Sequence, residues 1–507
     1  MKTVLITDLR TQPAREAAEY LASLGYEVLK LPEEIRLWDE EALAAWALTF
    51  AEDLVGVIHP APPMQVCGIQ EIEPKSWDQA AWEGPVAALI VTKVFCGIFR
   101  AKGRGTLIYL NSIHAEKPVG QGYLYSLGCG AVEMLAKEVC QDYGAHHVGV
   151  YFVERGILEE DPGQSGVSAL YYGVDLRYPD RKIPSSGYLN ELLAFLLTPG
   201  AMALSGAPIQ ADAGLLGFYG SHRDEEAPPR EMPSSGGKRR RDPEEIAQAL
   251  VPEPAEERVA LVTGSGKGVG AGIVRVLTRA GIRCCINCHS HPEMAAELEQ
   301  EVRAAGGEAF VYQADITDPD QVRAMVEAII QRYGRLDILV NNAAMQPNQF
   351  IDQYTAEQFR RLWETNIGGY FHAVRVALPY IMKSPAGRII NMSSIHGKRP
   401  TLFDAGYAMT KGAIRMFTRE LALELLGAKI PVNTIDLGAC KIEFKTGEHS
   451  GSFSMMKNAT TRNPQMPEYQ RFVLPEEVGH LILFLLSRSG AALTGDGIRI
   501  DRGVTLY

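Results

Sequence analysis

Short apolar runs alternate with longer segments whose apolar positions recur every three or four residues, and this pattern continues through most of the chain. In the second half, the runs VALVTG, CCIN, AFVYQAD, LDILVNNA and GRIINMSS have the length and β-branched content of buried strands. The stretches between them, such as MAAELEQEVRAAG and QVRAMVEAIIQRYG, have the period of amphipathic helices. Alternating strands and helices predict an α/β fold with a doubly wound parallel sheet.

The two halves of the chain repeat one pattern. LNSIHAEKPVGQGYLYSLGCGA, which begins at Leu110, aligns without a gap with MSSIHGKRPTLFDAGYAMTKGA, which begins at Met392. WEGPVAA from Trp82 likewise matches WETNIGG from Trp363. Repetition over this length indicates a tandem duplication, so we expect two Rossmann-like domains.

A segment rich in Pro, Gly, Ser and mixed charge separates the repeats and has the composition of a linker. The predicted boundaries are 1–220 for the first domain, 221–256 for the linker and 257–507 for the second domain. A proline and two acidic residues follow Asp242, which predicts a short helix in the linker. The run Lys238–Arg241 is flanked by acidic residues and is interpreted as solvated linker.

Composition narrows the function class. The 507 residues are 46% hydrophobic and 22% charged, as in globular proteins, and the net charge of −11 argues against nucleic acid or an anionic membrane as partner. The chain shows no apolar run of the roughly 18 residues that span a bilayer and no cleavage site after MKTVLITDL. Its eight cysteines are irregularly placed, so we expect a cytoplasmic protein with free thiols.

A glycine-rich turn follows the first strand of the second half. In VTGSGKGVG, Gly264, Gly268 and Gly270 allow a tight turn and a close approach of pyrophosphate to the amino terminus of a helix. CCINCHSH, nearby, contains Cys285 and Cys288 in a C-x-x-C pattern, but no second ligand pair follows at zinc-site spacing. We therefore predict a dinucleotide site and no metal.

Six motifs of the second half, from Arg258 to Tyr507, resemble the short-chain dehydrogenase/reductase family, in particular 3-oxoacyl reductases and bacterial glucose dehydrogenases. They are TGSGKGVG, ADIT, LVNNA, TNIGG, NMSSIHG and YAMTK. The resemblance implies an enzyme that interconverts a ketone and a secondary alcohol with a nicotinamide cofactor. It also implies that Tyr407 is the general acid/base, that Ser394 binds the substrate oxygen and that Asn366 holds a water.

Lys411 follows Tyr407 by four residues, so the two side chains share one helix face, and the ammonium is expected to stabilise the phenolate. Lowering a phenol pKa from about 10 to about 7 requires about 4 kcal/mol. A basic Lys267 in the glycine turn, and a second strand that ends without an acid, favour NADP(H) over NAD(H). The cofactor-binding residues implied by the resemblance are Gly264, Lys267, Gly268, Val269, Gly270, His289, Ser290, Asp315, Ile316, Asn342, Tyr407, Lys411, Gly438 and Cys440.

The first half has lost most of these residues, so we predict a non-catalytic copy. Its replacements are Asp8, Gln12 and Ala14 for the three glycines, His59 near the place of NNA, Pro85 for Asn366, and Cys129 for Lys411. Ser112 and Tyr125 remain, which leaves open an activity similar to that of halohydrin dehalogenases. A non-catalytic nucleotide-binding regulator or scaffold is the alternative for the whole chain.

The substrate stays open between sugar, cyclic ketone and oxoacyl compounds. Beside Ser394, the candidate substrate residues are His396 and Phe444, the latter in a long segment at the place where the family keeps its lid. The helices that begin near Tyr125 and Tyr407 have apolar faces, from which we expect an internal pseudo-dimer. Two chains would then form a homodimer with the shape of a pseudo-tetramer.

Overall fold

The computed structural model describes residues 2–118, 120–156, 158, 185–205, 208–211, 258–401, 404–441, 472–487, 490–495 and 497–502. Within these residues the chain forms two parallel sheets, one in each half, of six and seven strands. This confirms the α/β fold with two tandem doubly wound domains. The predicted linker, its short helix and Phe444 lie outside the described residues.

The first half contains strands β1 to β6 and helices α1 to α6. The strands are β1 Thr3–Ile6, β2 Glu27–Lys30, β3 Leu54–Pro60, β4 Gly105–Ser112, β5 Val148–Arg155 and β6 Pro208–Ala211. The helices are α1 Gln12–Ser23, α2 Glu40–Leu48, α3 Pro74–Ala81, α4 Ala87–Lys102, α5 Tyr123–Tyr143 and α6 Leu189–Leu196. The sheet order is β2-β1-β3-β4-β5-β6.

The second half repeats this arrangement and adds an edge strand. Its strands are β7 Val259–Val262, β8 Arg283–Cys288, β9 Ala309–Gln313, β10 Ile338–Asn341, β11 Arg388–Ser394, β12 Val432–Leu437 and β13 Gly497–Ile500. Its helices are α7 Gly268–Arg279, α8 Pro292–Ala304, α9 Pro319–Tyr333, α10 Ala356–Trp363, α11 Gly369–Ile381, α12 Ala405–Glu424 and α13 Pro475–Leu485. The sheet order is β13-β12-β11-β10-β7-β8-β9.

The strand order reverses between β7 and β10, which are neighbours in the second sheet. In open parallel sheets, ligands bind beyond the carboxyl ends of the strands at such a switch point. The glycine turn follows β7 and Asn342 follows β10, so the topology brings two predicted cofactor elements to this crevice.

A π-helical turn interrupts the same long helix in both halves. It spans Trp82–Val86 between α3 and α4, and Glu364–Gly368 between α10 and α11. The continuous helix Pro74–Lys102 is long and apolar enough to cross a bilayer, but 72% of its most apolar window is buried inside the protein. This is the environment of a core helix in a soluble fold.

The two halves pack against each other through α5 and α12. One continuous apolar core includes buried side chains from both halves, among them Tyr123 and Phe417, whose rings lie edge to face at 6.0 Å. Trp77 stacks on Phe371 across the same boundary, with ring centroids 4.2 Å apart. Each half therefore covers an apolar face that the other would otherwise expose.

Candidate active site

The four predicted catalytic residues come from neighbouring elements of the second half. Ser394 ends β11, Tyr407 and Lys411 lie in the first two turns of α12, and Asn366 lies in the π-helical turn before α11. The side chains of Asn366, Ser394 and Lys411 are buried, and that of Tyr407 is half-buried. The fold thus brings residues that are up to 45 positions apart in the sequence to the carboxyl end of β11.

Tyr407 is the centre of this group. The Lys411 ammonium lies 5.3 Å from the centroid of the Tyr407 ring. The Ser394 side chain acts on the phenol and lowers the phenol pKa, while the Ser394 hydroxyl donates a hydrogen bond of 3.3 Å to the Leu437 carbonyl. The Lys411 Nζ donates a hydrogen bond of 3.0 Å to the carbonyl of Met392 on β11. The ammonium is therefore anchored to the sheet beside the ring face.

Burial dominates the electrostatics of this pair. Burial raises the pKa of Tyr407 to about 12, against a smaller opposing effect of the Ser394 side chain. Burial also lowers the pKa of Lys411 to about 7, while the charge of Asp436 acts in the opposite direction. The Lys411 ammonium is itself desolvated and donates to a backbone carbonyl. The expected stabilisation of the phenolate by Lys411 stays a prediction.

Asp404 and Asn366 fix the helix that carries Tyr407. Asp404 caps α12 by accepting a hydrogen bond from the Tyr407 amide, and it also accepts one from the hydroxyl of Tyr354. The Asn366 amide donates to the Met345 carbonyl and to the Thr410 hydroxyl. Asn366 thereby ties the loop after β10 to α12; its predicted contact with a water stays a prediction.

The glycine turn is closely packed at the positions where glycine is required. A Cβ at Gly264, which has a φ of +60°, would lie 2.7 Å from the Cα of Ala343. A Cβ at Gly270 would lie 2.6 Å from the Cα of Ser265 and 2.7 Å from the Nδ2 of Asn342. The turn and the strand that ends at Asn341 thus form one tight cradle at the amino terminus of α7.

Side chains from the sheet hold this cradle in place. Asn342 donates to the carbonyls of Thr263 and Gly264, and the Asn287 carboxamide oxygen accepts from the Gly264 amide. Asn287 lies inside β8, and sequence reasoning missed it because an asparagine in the interior of a strand belongs to no motif. It is a positioning residue for the predicted pyrophosphate turn.

The predicted ribose-phosphate side of the site is open to solvent. Lys267, His289 and Ser290 are exposed at the ends of β7 and β8, and the His289 Nδ1 lies 3.7 Å from a carboxylate oxygen of Asp315. Val269 is half-buried in the first turn of α7, and Ile316 is buried beside Gly369. Lys267, His289 and Ser290 are thus the exposed rim of the predicted site, and the Asp315 carboxylate lies beside His289.

The predicted nicotinamide side lies at the ends of β11 and β12. Ser394 pairs with Leu437, and a Cβ at Gly438 would lie 2.6 Å from the Cβ of Asp501. Cys440 is half-buried, and burial raises the pKa of its thiol to about 12. Among the described residues, no group of three or more His, Cys, Asp or Glu side chains could hold a metal ion.

His396 makes the same local contact as its counterpart in the first half. Its Nδ1 lies 3.2 Å from the carbonyl of Arg399, and the Nδ1 of His114 lies 2.9 Å from the carbonyl of Lys117. Shared geometry in both halves indicates that this histidine shapes the turn after the serine. A contact of His396 with substrate stays a prediction.

The first half fills its own nucleotide turn with side chains. Asp8 binds Arg10 at 2.8 Å, and Arg10 also pairs with Glu83 at 2.6 Å. Pro13, in the first turn of α1, lacks the backbone N–H that an anion would use. The network and the proline together leave this turn without the donor set of its counterpart.

Cys129 does not restore the missing charge, but Arg155 stands close by. Burial raises the pKa of the Cys129 thiol to about 12, with smaller opposing effects of Arg155 and Tyr125. Arg155 pairs in register with Ser112, as Leu437 does with Ser394, and its charge opposes the pKa shift of Cys129. The sequence alignment did not identify this cation because Arg155 lies at the end of β5, whereas the lost lysine belongs to the helix that carries the tyrosine.

Comparison with known proteins is consistent with both halves having this fold. The family model described as short chain dehydrogenase matches residues 1–166 and 258–451. An uncharacterized oxidoreductase of Methylorubrum extorquens is 33% identical over 249 residues, which cover 49% of this chain and 98% of the relative. Glucose 1-dehydrogenase 2 of Bacillus subtilis is 29% identical over 254 residues, covering 49% of this chain and 95% of the relative. A 3-oxoacyl-acyl-carrier-protein reductase of Staphylococcus aureus is 28% identical over 247 residues, covering 48% and 97%.

Proposed function

The chain belongs to the short-chain dehydrogenase family, and from that premise we propose that its second half interconverts a ketone and a secondary alcohol with NADP(H). The observation that carries this proposal is the buried Lys411 ammonium 5.3 Å from the centre of the Tyr407 ring, with Ser394 at the end of β11 and an intact glycine turn in the same half. Hydroxyl groups arranged in this way can bind a carbonyl oxygen and can donate a proton to it or remove one from it.

In this proposal Ser394 and Tyr407 hold the substrate oxygen, and Tyr407 donates its phenolic proton to that oxygen during reduction. The bound nicotinamide supplies the hydride in this direction and accepts it in the other. The Lys411 ammonium stabilises the phenolate that remains. Because the Tyr407 pKa is about 12 in this structure, proton donation is favoured over proton removal, and oxidation requires further positive charge near the ring.

The preference for NADP(H) rests on the exposed rim. Lys267, His289 and Ser290 offer positive charge and neutral donors at the ends of β7 and β8, and these groups suit a 2′-phosphate. The Asp315 carboxylate lies 3.7 Å from the His289 Nδ1. Thermal-shift titrations with NADPH and NADH measure this preference directly.

The first half serves, in our proposal, as a structural partner of the second. The shared apolar core and the α5–α12 contact support an internal pseudo-dimer. We also propose that two chains associate, which light scattering of the purified protein would detect as twice the chain mass of 55.6 kDa.

A second activity is favoured by one observation in the first half. Arg155 places a cation beside Ser112 in the sheet and close enough to Cys129 to act on its thiol, so a dehalogenase-like reaction there is the second candidate function. Release of halide from a halohydrin, measured without cofactor, tests it.

The leading proposal is tested by NADPH oxidation over a panel of sugars, cyclic ketones and oxoacyl compounds. We expect turnover with at least one carbonyl class. A chain that binds NADPH but reduces none of them would favour a regulatory role over catalysis.

A further inference from the structure

Glu133 and Arg415 occupy the same position in the two halves, eight residues after Tyr125 and Tyr407 respectively. They form an ion pair across the boundary between the halves, with an oxygen-to-nitrogen distance of 2.9 Å. Their side chains are only 3% and 6% exposed. In a symmetric dimer of two identical halves, this position would lie against the same residue of the other half. Here the two halves carry opposite charges at it, Glu133 in the first and Arg415 in the second.

Arg415 also holds two turns that are counterparts of each other. It donates to the carbonyl of Gly397 at 2.8 Å and, across the boundary, to the carbonyl of Ala115 at 3.2 Å. Gly397 lies three residues after Ser394, and a Cβ there would lie 2.9 Å from the Lys411 carbonyl. The guanidinium thus links Glu133 of the first half to the turn that leaves the proposed active site.

We infer that the first half is a specific, unlike partner of the second, and that Glu133 is a positioning residue which acts through Arg415 on the turn after Ser394. The positioning part rests on the proposed function; the pairing part does not. Two catalytic halves paired in the same way would bring Arg415 against Arg415 in a buried site. Like charges in such a place reject the wrong partner.

The pseudo-symmetry predicts that the pair can be exchanged. In Glu133→Arg with Arg415→Glu, the new arginine meets the same two carbonyls, now with Ala115 in its own half and Gly397 across the boundary. Glu133 pairs at 2.5 Å with Lys137, four residues later. The new glutamate at position 415 would have Arg419 at the same spacing. Arg419 and Lys137 are themselves counterparts, and each donates to a carbonyl of the opposite half, Glu116 and Lys398.

The experiment is a double-mutant cycle in the full chain. Glu133→Arg alone should lower the melting temperature by roughly 5–10 °C, because two buried guanidinium groups then face each other. The exchanged double variant should recover most of that loss. Glu19→Arg, an exposed charge reversal on α1 of the same half, is the matched control and should change the melting temperature little.

Glu133→Gln is the milder variant and tests the positioning part. We expect kcat for carbonyl reduction to fall roughly tenfold while the dissociation constant for NADPH stays unchanged. Additive effects in the cycle would overturn the specific pairing, whether or not the chain reduces any carbonyl. If the unsubstituted chain is active and Glu133→Gln keeps its kcat, the positioning part is wrong; an inactive unsubstituted chain refutes the proposed function instead.

Discussion

Gly130 and Gly412 occupy the same position in the two halves and lie against each other where α5 crosses α12. A Cβ at Gly412 would lie 2.4 Å from the Gly130 carbonyl oxygen, and a Cβ at Gly130 would lie 2.9 Å from the Gly412 carbonyl oxygen. Each glycine also faces the methionine that follows its counterpart by four residues, Met416 and Met134. The pseudo-two-fold relation between the halves therefore passes through this pair.

The close approach predicts a steric effect of Gly130→Ala. The methyl group has to displace backbone, so the free energy of unfolding should fall by about 1–3 kcal/mol. Gly128→Ala on the same helix is the control, because no atom lies within 4 Å of its added Cβ. There the higher helix propensity of alanine should stabilise the protein by about 0.5–1 kcal/mol. Chemical denaturation of both variants measures the contrast.

Tyr407→Phe should abolish carbonyl reduction and retain cofactor binding, because it removes the proposed proton donor and leaves the glycine turn intact. The matched control is Tyr125→Phe, the same change at the counterpart position, which should retain turnover. Steady-state NADPH oxidation and an NADPH thermal shift check the two parts. Turnover that survives in Tyr407→Phe, or is lost only in Tyr125→Phe, would contradict the assignment of the active half.

Asp436→Asn should shift the pH dependence of kcat/KM. Asp436 is buried on β12, lies 3.2 Å from the ammonium of Lys398, and opposes the fall in the pKa of Lys411. Without its charge, the pKa of Lys411 should fall further below about 7, and the neutral amine cannot stabilise phenolate. The alkaline decline in activity should therefore move to lower pH by about one unit.

Glu154→Gln is the matched control for this pH profile. Glu154 is the counterpart of Asp436 in a half that lacks the lysine, and burial raises the pKa of its carboxyl group to about 8. Its substitution should leave the profile in place. A profile that moves equally in both variants would mean that the shift does not arise at Lys411.

Lys267→Ala should weaken NADPH binding roughly tenfold and change NADH binding little, since only NADPH carries the phosphate that this ammonium would meet. Lys267 is exposed at the start of α7, so the substitution should not unfold the turn. Arg279→Ala, at the opposite end of the same helix, is the control. Equal weakening of both nucleotides would contradict the predicted cofactor preference.

The architecture could be predicted from the residue pattern alone. Strand and helix periodicities are local properties of the chain, so β7 to β11 and the helices between them could be predicted from residues a few positions apart. The gapless alignment around Tyr125 and Tyr407 also determined the duplication, because counterpart residues keep a constant spacing. The same alignment identified which half had lost Lys411 and the glycine turn.

The pKa values of the site residues and the ion pair between the two halves could be found in the folded structure but not in the sequence. The pKa values of Tyr407 and Lys411 depend on burial, and that of Lys411 also depends on Asp436 of β12, which the four-residue spacing of the two side chains does not show. The Glu133–Arg415 pair joins positions 282 residues apart. Electrostatic energy depends on distance and desolvation in the folded state, and neither can be read from separation along the chain.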